Sequence, residues 1–426
     1  MLDDLKNNLH FTTWHMVHQL PRFFINGWQS IQLKRTLDLT YRNVYFYQEL
    51  WDNLKINIKQ IKVPTDIYIL PIINKNTLRE LDISKIVNRS YSGRRTWHQT
   101  SGSTHEPFKF LRGSLKMPWN DRRYFYSANY RFLLWSGVGF KKIISNLKVA
   151  QIHTAPHPTQ NYLFIHTENL RVSPQKTITE LKMYGADILE GLASVLVELA
   201  RIAESLPQKE RPRFSYVVSF GEVLTSVERK YIEDIFKCEL YNKYAMEELG
   251  VIGLECKQHN GFHINEESRI VNVVDDEGNE LKPGNSGRIV ITYFYNDILP
   301  FIRYDTGDYG MIYPGVCPCG LPTYKITVNG RHGYFIIVNK KRVHYMELDV
   351  VLRQFAGKIA KYQIVQSDNS EPNILILPTK DFSPSDLKDL QIKFREILGF
   401  ALKIEVAKDL LYNQSGKAKI IINKPE

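Results

Sequence analysis

The chemistry-bearing residues of this chain stand in short clusters, and the densest is rich in hydroxyls. Thr100, Ser101, Ser103 and Thr104 surround Gly102, between a segment from Tyr91 to Trp97 that reads as a turn entering a strand and the run Glu106, Pro107, Phe108, Lys109. A glycine-containing turn leaves backbone N–H groups free, and flanking hydroxyls add further donors, which is what phosphate oxygens require. Runs of Ser, Thr and Gly are also ordinary surface loops, so the cluster gains meaning only from its company. That company is Ser219 to Glu222, Tyr244 to Glu248, Arg303 to Asp308, Gly330 with Arg331, and Ser415 to Lys417, in that order.

Cysteine placement raises a separate chemistry. Four cysteines in 426 residues do not make a disulfide framework. Cys317 and Cys319 form a tight pair able to chelate one ion, and Cys256 with His263 lies upstream; together they are a candidate tetrahedral Cys₃His zinc set. His259 competes with His263 for the fourth position, and three unconnected buried cysteines would be the bland alternative. Cys238 reads as a core residue.

The elements that must position these residues are legible in outline. Residues 1–60 read as helical, carrying the aromatic side chains of Trp14, Phe23, Phe24, Trp28, Tyr41, Tyr45 and Tyr47, with Pro21 and Gly27 expected to break the first helix. This is a helical layer packing its aromatic side inward; a membrane-surface role for Trp14 to Trp28 rests on composition alone. A helix is expected over Tyr124–Ser136, and an apolar stripe from Leu181 to Leu199 predicts helix across 179–206. Phe214 to Phe220 reads as a buried strand ending on Gly221 and Glu222, the arrangement by which open α/β sheets present ligands at strand ends. From Arg269 a β-hairpin region follows. Near Val328 a compact α+β unit begins, with strands at 334–338, 362–366, 373–377 and 404–407, helices at 345–355 and 384–398, and Ser383 as N-cap of the second helix.

Bulk composition narrows the partners. With 43% hydrophobic and 24% charged residues this is an ordinary globular composition. No apolar run approaches the roughly 18 residues of a membrane span, and the start of the chain lacks a signal-peptide core, so a cytoplasmic protein is expected. A net charge of +11 invites a polyanion, but Lys and Arg are spread along the chain without a nucleic-acid motif, which argues against nucleic acid as the main partner.

The ordered series resembles the adenylate-forming ligases, in the branch of phenylacetate–CoA ligase-like and capsular-polysaccharide CapK-like proteins, from about residue 35 to the end. The resemblance implies an α/β fold: a large N-terminal domain of mixed sheets flanked by helices plus a β-region, 1–328, and a small mobile C-terminal α+β domain, 329–426. It implies attack of a carboxylate on the α-phosphate of ATP, with pyrophosphate release and transfer of the acyl group, by default to CoA. In that scheme residues 100–104 hold the β- and γ-phosphates, Tyr244 stacks on adenine, and Gly221 and Glu222 line the adenine pocket. Asp308 takes the ribose hydroxyls, and Glu248 is a hard oxygen ligand for Mg²⁺. Arg331 reaches the nucleotide from the inter-domain hinge, and Lys417 bridges the carboxylate and α-phosphate. Related sequences also carry a Cys/His set like the one described above, as a structural zinc site. The acid pocket is expected between Tyr124–Ser136, the segment with His153 and His157, and the Ser219 strand end.

The chain departs from the family pattern in places. His105 stands at a glycine position of the phosphate loop, Ala245 replaces a glycine, Gly333 stands where an acidic pair is usual, and Lys340 replaces a glycine lining the acceptor tunnel. These changes question CoA as acceptor more than ATP as donor. An amine or hydroxyl of a polysaccharide precursor is the alternative acceptor, and a nucleotide-binding scaffold without turnover the alternative class.

Overall fold

The computed structural model describes residues 21–93, 95–100, 108–113, 148–154, 162–313, 315–331, 334–367, 371–412 and 418–424. Contacts divide the chain into two compact units: Met1–Ser145 with Lys243–His332, and Asn146–Asn242 with Gly333–Glu426. Residues 146–242 thus group with the C-terminal stretch, and the strand Glu239–Met246 straddles the division.

In the first unit the strands follow one another antiparallel in the order Arg269–Val274, Ser286–Tyr293, Phe301–Ile312, Lys325–Arg331, Phe262–Ile264, Gly250–Glu255 and the end of Glu239–Met246. Their apolar face, with Ile289, Ile291, Phe301 and Tyr304, packs against Leu33, Leu37, Tyr47 and Trp51 of two N-terminal helices, Arg22–Asn43 and Tyr45–Asn53. Helix Arg22–Asn43 starts directly after Pro21 and, unlike the expectation, runs through Gly27 without a break. A mid-helix glycine costs only about 1 kcal/mol, and this helix is held along its inner side by Ile25, Gln29, Leu33 and Leu37. Polar stitches add to that: Trp28 Nε1 donates to Glu267 O at 2.8 Å, and Gln29 Nε2 donates to Glu266 O and Arg269 O at 3.0 and 2.9 Å. A separate hairpin pairs Arg95–Gln99 with Lys109–Gly113.

The second unit opens with parallel strands in the order Tyr216–Phe220, Ile188–Gly191, Val149–His153, Tyr162–His166, alternating with helices in the chain. The stripe read as one helix over 179–206 is three elements: helix Pro174–Tyr184, strand Ile188–Gly191 and helix Ala193–Glu204. Gly185 ends the first helix in the left-handed conformation, φ 64°. Every residue of the strand is buried, so its apolar Ile188 and Leu189 fall in line with a helix face. The C-terminal part forms a four-stranded sheet in the order Lys403–Val406, Asn373–Pro378, Ile359–Ser367, Ile421–Lys424, with helices Tyr345–Leu352 and Pro384–Leu398. Ser383 caps the latter helix in a capping box with Asp386. Within this unit Lys361 and Glu228 form a buried ion pair, and burial draws the Lys361 ammonium down to about 8. No helix among the described residues is long and apolar enough to cross a membrane.

Candidate active site and metal centre

Two strands of the first unit carry the polar cluster, and both leave the regular ladder where they do so. The register shifts between Tyr244 and Ala245 on one strand and between Asp308 and Gly310 on the other. Such irregularities re-aim side chains and favour sites. Here they bring Tyr244 Oη within 2.7 Å of Asp308 Oδ2, to which it donates, both residues being buried. Arg331 stands opposite Asp308 in the antiparallel register, its Nε 3.4 Å from Oδ1.

The turn preceding Asp308 is built by its own sequence. Gly307, at φ 75°, donates its N–H to Asp305 Oδ1 at 2.8 Å, and Asp308 N donates to Thr306 Oγ1 at 3.1 Å. Gly310 answers a close approach: a Cβ there would meet Thr327 O at 2.1 Å, so any side chain would push the Arg331 strand away. Arg303 is structural. It is buried at φ 45° and spends its guanidinium on Ile67 O and Gly278 O, both at 3.3 Å.

Glu248 completes the cluster at the end of the first strand. Its Oε1 accepts from Tyr304 Oη at 3.0 Å and pairs with Lys75 Nζ at 3.0 Å. Lys75 is the site residue that the sequence reading missed, because no spacing links residue 75 to residue 248. The backbone brings it there: Ile73 bridges parallel to Tyr304, with Ile73 N donating to Arg303 O at 3.0 Å and Asp305 N donating to Ile73 O at 2.8 Å.

The electrostatics follow from burial. Asp308 is raised above its ordinary value of 3.8 chiefly by desolvation, with Glu248 adding to the rise, while Arg331, the Tyr244 hydrogen bond and Lys75 oppose it. Burial and the adjacent carboxylates push the hydroxyls of Tyr244 and Tyr304 well above 10, so both remain donors at neutral pH. The cluster is a buried carboxylate flanked by a guanidinium, able to accept paired hydroxyls, with a second carboxylate nearby offering hard oxygen to a cation.

The remaining expected site residues lie elsewhere or outside the described stretches. Thr100 follows strand Arg95–Gln99, its Oγ1 accepting from Phe108 N at 3.0 Å. Ser101, Gly102, Ser103, Thr104, His105 and Lys417 lie outside the described residues, as do Gly333, His157 and the helix expected over 124–136. Gly221 and Glu222 belong to the second unit. There Glu222 anchors the start of helix Ala193–Glu204, accepting from Ser194 N at 2.8 Å and Ser194 Oγ at 3.0 Å. Lys340 sits at φ 63° beside Asn339 at φ 49°, in the two-residue turn between strands Phe335–Val338 and Lys341–His344. A turn with two positive φ values favours glycine, and here two bulkier residues fill it.

Cys256, His263, Cys317 and Cys319 converge, their ligand atoms all within 4.8 Å of one another. Cys256 Sγ and Cys317 Sγ are 3.8 Å apart, and Cys319 Sγ is 3.2 Å from His263 Nε2. A zinc tetrahedron with S arms of about 2.3 Å has edges of about 3.8 Å, so the thiols of Cys256 and Cys317 already stand at its spacing. His263 is fully buried, and its Nδ1 faces Thr323 Oγ1 at 2.9 Å, which turns Nε2 toward the sulfurs. Lys325 Nζ, 3.8 Å from Cys317 Sγ, offsets thiolate charge. Of the two histidines, His263 stands in the group, whereas His259, at φ 47°, directs Nδ1 to Glu255 Oε2 at 3.3 Å. Cys238 packs on the second unit's core, where burial pushes its thiol to about 12.

The fold is that of the adenylate-forming enzymes. It superposes on a 2-hydroxyisobutyryl-CoA ligase in the postadenylation state, in complex with R3-HIB-AMP, with a TM-score of 0.78 at 17% identity, covering 96% of this chain and 91% of that one. In sequence the chain is 24% identical over 364 residues to the phenylacetate-coenzyme A ligase of Thermus thermophilus, covering 81% of this chain and 79% of the relative. It is likewise 24% identical over 402 residues to protein CapK of Staphylococcus aureus, covering 90% of this chain and 85% of CapK. No protein-family model matches the chain. In fold the chain is like the adenylate-forming enzymes, and in sequence it is similar to acid–CoA ligase-like members of that group.

Proposed function

We propose that this chain activates a carboxylic acid with ATP, releasing pyrophosphate and forming an acyl-adenylate, and then passes the acyl group to CoA. The observation that carries the reading is the convergence of Tyr244, Asp308, Arg331 and Glu248 in one buried cluster. In it Asp308 accepts the two ribose hydroxyls, Tyr244 supports the adenine side, and Arg331 both orients Asp308 and faces the nucleotide. Residues 100–104 hold the outer phosphates, and Gly221 and Glu222 line the adenine pocket. Bound to Glu248, Mg²⁺ supplies charge neutralisation on the phosphates during transfer. Lys417, carried by a small C-terminal domain (329–426) that moves against the 1–328 domain, bridges the attacking carboxylate and the α-phosphate. The Cys₃His set holds a structural Zn²⁺ that ties the hairpin region of 250–325 together. A cytoplasmic location accords with this chemistry.

A second acceptor class is favoured by one observation: Lys340 occupies a left-handed turn position where the family pattern has glycine. An amine or hydroxyl on a polysaccharide precursor, as the likeness to CapK suggests, would then replace CoA. The test is ATP-dependent pyrophosphate release against a panel of aryl, fatty and hydroxy acids, with and without CoA. Acid-dependent release supports adenylation, and consumption of CoA thiol identifies the acceptor. ATP binding without release for any acid would leave a nucleotide-binding scaffold in its place.

Asp308 also predicts a pH effect. Ribose binding uses the ionised carboxylate, and burial raises its pKa above 3.8. Nucleotide affinity is therefore expected to fall on acidification with a midpoint above that value, and the fall should vanish in Asp308→Asn, whose starting affinity is already low. Calorimetric titration of ATP across the acid range measures it.

A further inference from the structure

The polar cluster of the first unit sets Arg331 against Asp308 and Lys75 against Glu248. The second pair is unusual because Glu248 is the residue offered to a divalent ion. Its side chain is 1% exposed and fixed by Tyr304, whereas the Lys75 side chain is 23% exposed, which leaves the ammonium room to swing while the carboxylate stays. A divalent ion at about 2.1 Å from Oε1 would lie within about 5 Å of the ammonium. Two cations that close on one buried carboxylate repel, so ammonium and metal compete for Glu248. A nucleotide relieves the competition, because its phosphates give the displaced ammonium a new anionic partner.

We propose that Lys75 is a positioning residue that holds Glu248 until metal and nucleotide arrive together, then passes to the phosphates, so that the two bind as a unit. This rests on the adenylation reading above. It assigns a role in the site to the segment before Lys75, whose bridge to Tyr304 sets where the ammonium lies.

The experiment titrates Mn²⁺ by electron paramagnetic resonance, with and without ATP, on the full chain and on Lys75→Met, Lys75→Arg and Tyr304→Phe. Without nucleotide, Lys75→Met should bind Mn²⁺ about tenfold more tightly than the unmodified protein, and with Mn²⁺ present it should bind ATP about tenfold more weakly. With ATP affinity in the absence of metal unchanged, the coupling between metal and nucleotide would then shrink about tenfold. Lys75→Arg should retain most of the coupling, and Tyr304→Phe, which removes a neutral partner of the same oxygen, should leave it within about threefold. Lys75→Gln, which keeps a donor for Glu248 without the charge, serves the same purpose should Lys75→Met fail to fold. Unchanged or weaker Mn²⁺ binding in the folded uncharged variants, with normal ATP binding by the unmodified protein, overturns the inference alone. Failure of the unmodified protein to bind ATP overturns the adenylation reading, and this inference with it.

Discussion

Lys417→Ala is expected to lower acid-dependent pyrophosphate release by on the order of 10²–10³-fold, while ATP affinity changes by less than about tenfold. The asymmetry has a physical basis. A cation between an attacking carboxylate and an α-phosphate meets its full electrostatic demand only as the new bond forms, so its loss falls on the rate rather than on ground-state binding. Asp308, Tyr244 and Arg331 should hold nucleotide with or without it. Stopped-flow or quench measurement of pyrophosphate, beside calorimetric titration of ATP, separates the two quantities. Parallel loss of both would mean that the variant is misfolded or that Lys417 is a ground-state phosphate ligand. Retention of both would remove Lys417 from the chemistry.

The second large effect concerns the metal centre. Protein grown with zinc should carry one zinc per chain by mass spectrometry of metals, and Cys317→Ser with Cys319→Ser should carry none. Loss of a structural zinc removes several kcal/mol of folding free energy, which in a domain of this size lowers the melting temperature by on the order of 10 °C. The chain between Cys256 and Cys319 contains the strands Phe262–Ile264, Arg269–Val274, Ser286–Tyr293 and Phe301–Ile312. Metal loss should therefore loosen the strand that carries Asp308, and nucleotide binding should weaken with it. His259→Ala should keep the metal, whereas His263→Ala should lose it, since only His263 presents a ring nitrogen to a sulfur of the set. A zinc-free, fully stable protein would leave three reduced cysteines as packing residues.

Several parts of the fold were legible because their determinants are local. Ser383 with Asp386 announces a helix start within a single turn, and the alternating runs around residues 270 and 290 announce a hairpin. The reading failed where local signals compete. At Gly27 the sequence predicts a break because a glycine weakens a helix, yet the helix continues on the strength of the residues it buries against the sheet. The 179–206 stripe reads as one helix because a fully buried strand and a helix face look alike in hydropathy, and the left-handed Gly185 ends the first helix between them.

The order of motifs along the sequence by itself pointed to the adenylate-forming fold, and with it to the expectation that Tyr244, Glu248, Asp308 and Arg331 act together. Residue types also determined that Cys256, Cys317 and Cys319 could share an ion, because thiols and their spacing are written in the chain. Tertiary structure alone decided which histidine joins them, since His259 and His263 differ not in chemistry but in backbone direction. It alone brought Lys75 to Glu248, through a backbone bridge between residues 73 and 304 that no local pattern encodes. The physical reason is the same in both cases. Spacing fixes which groups are available, but strand register and bulges fix where each one points.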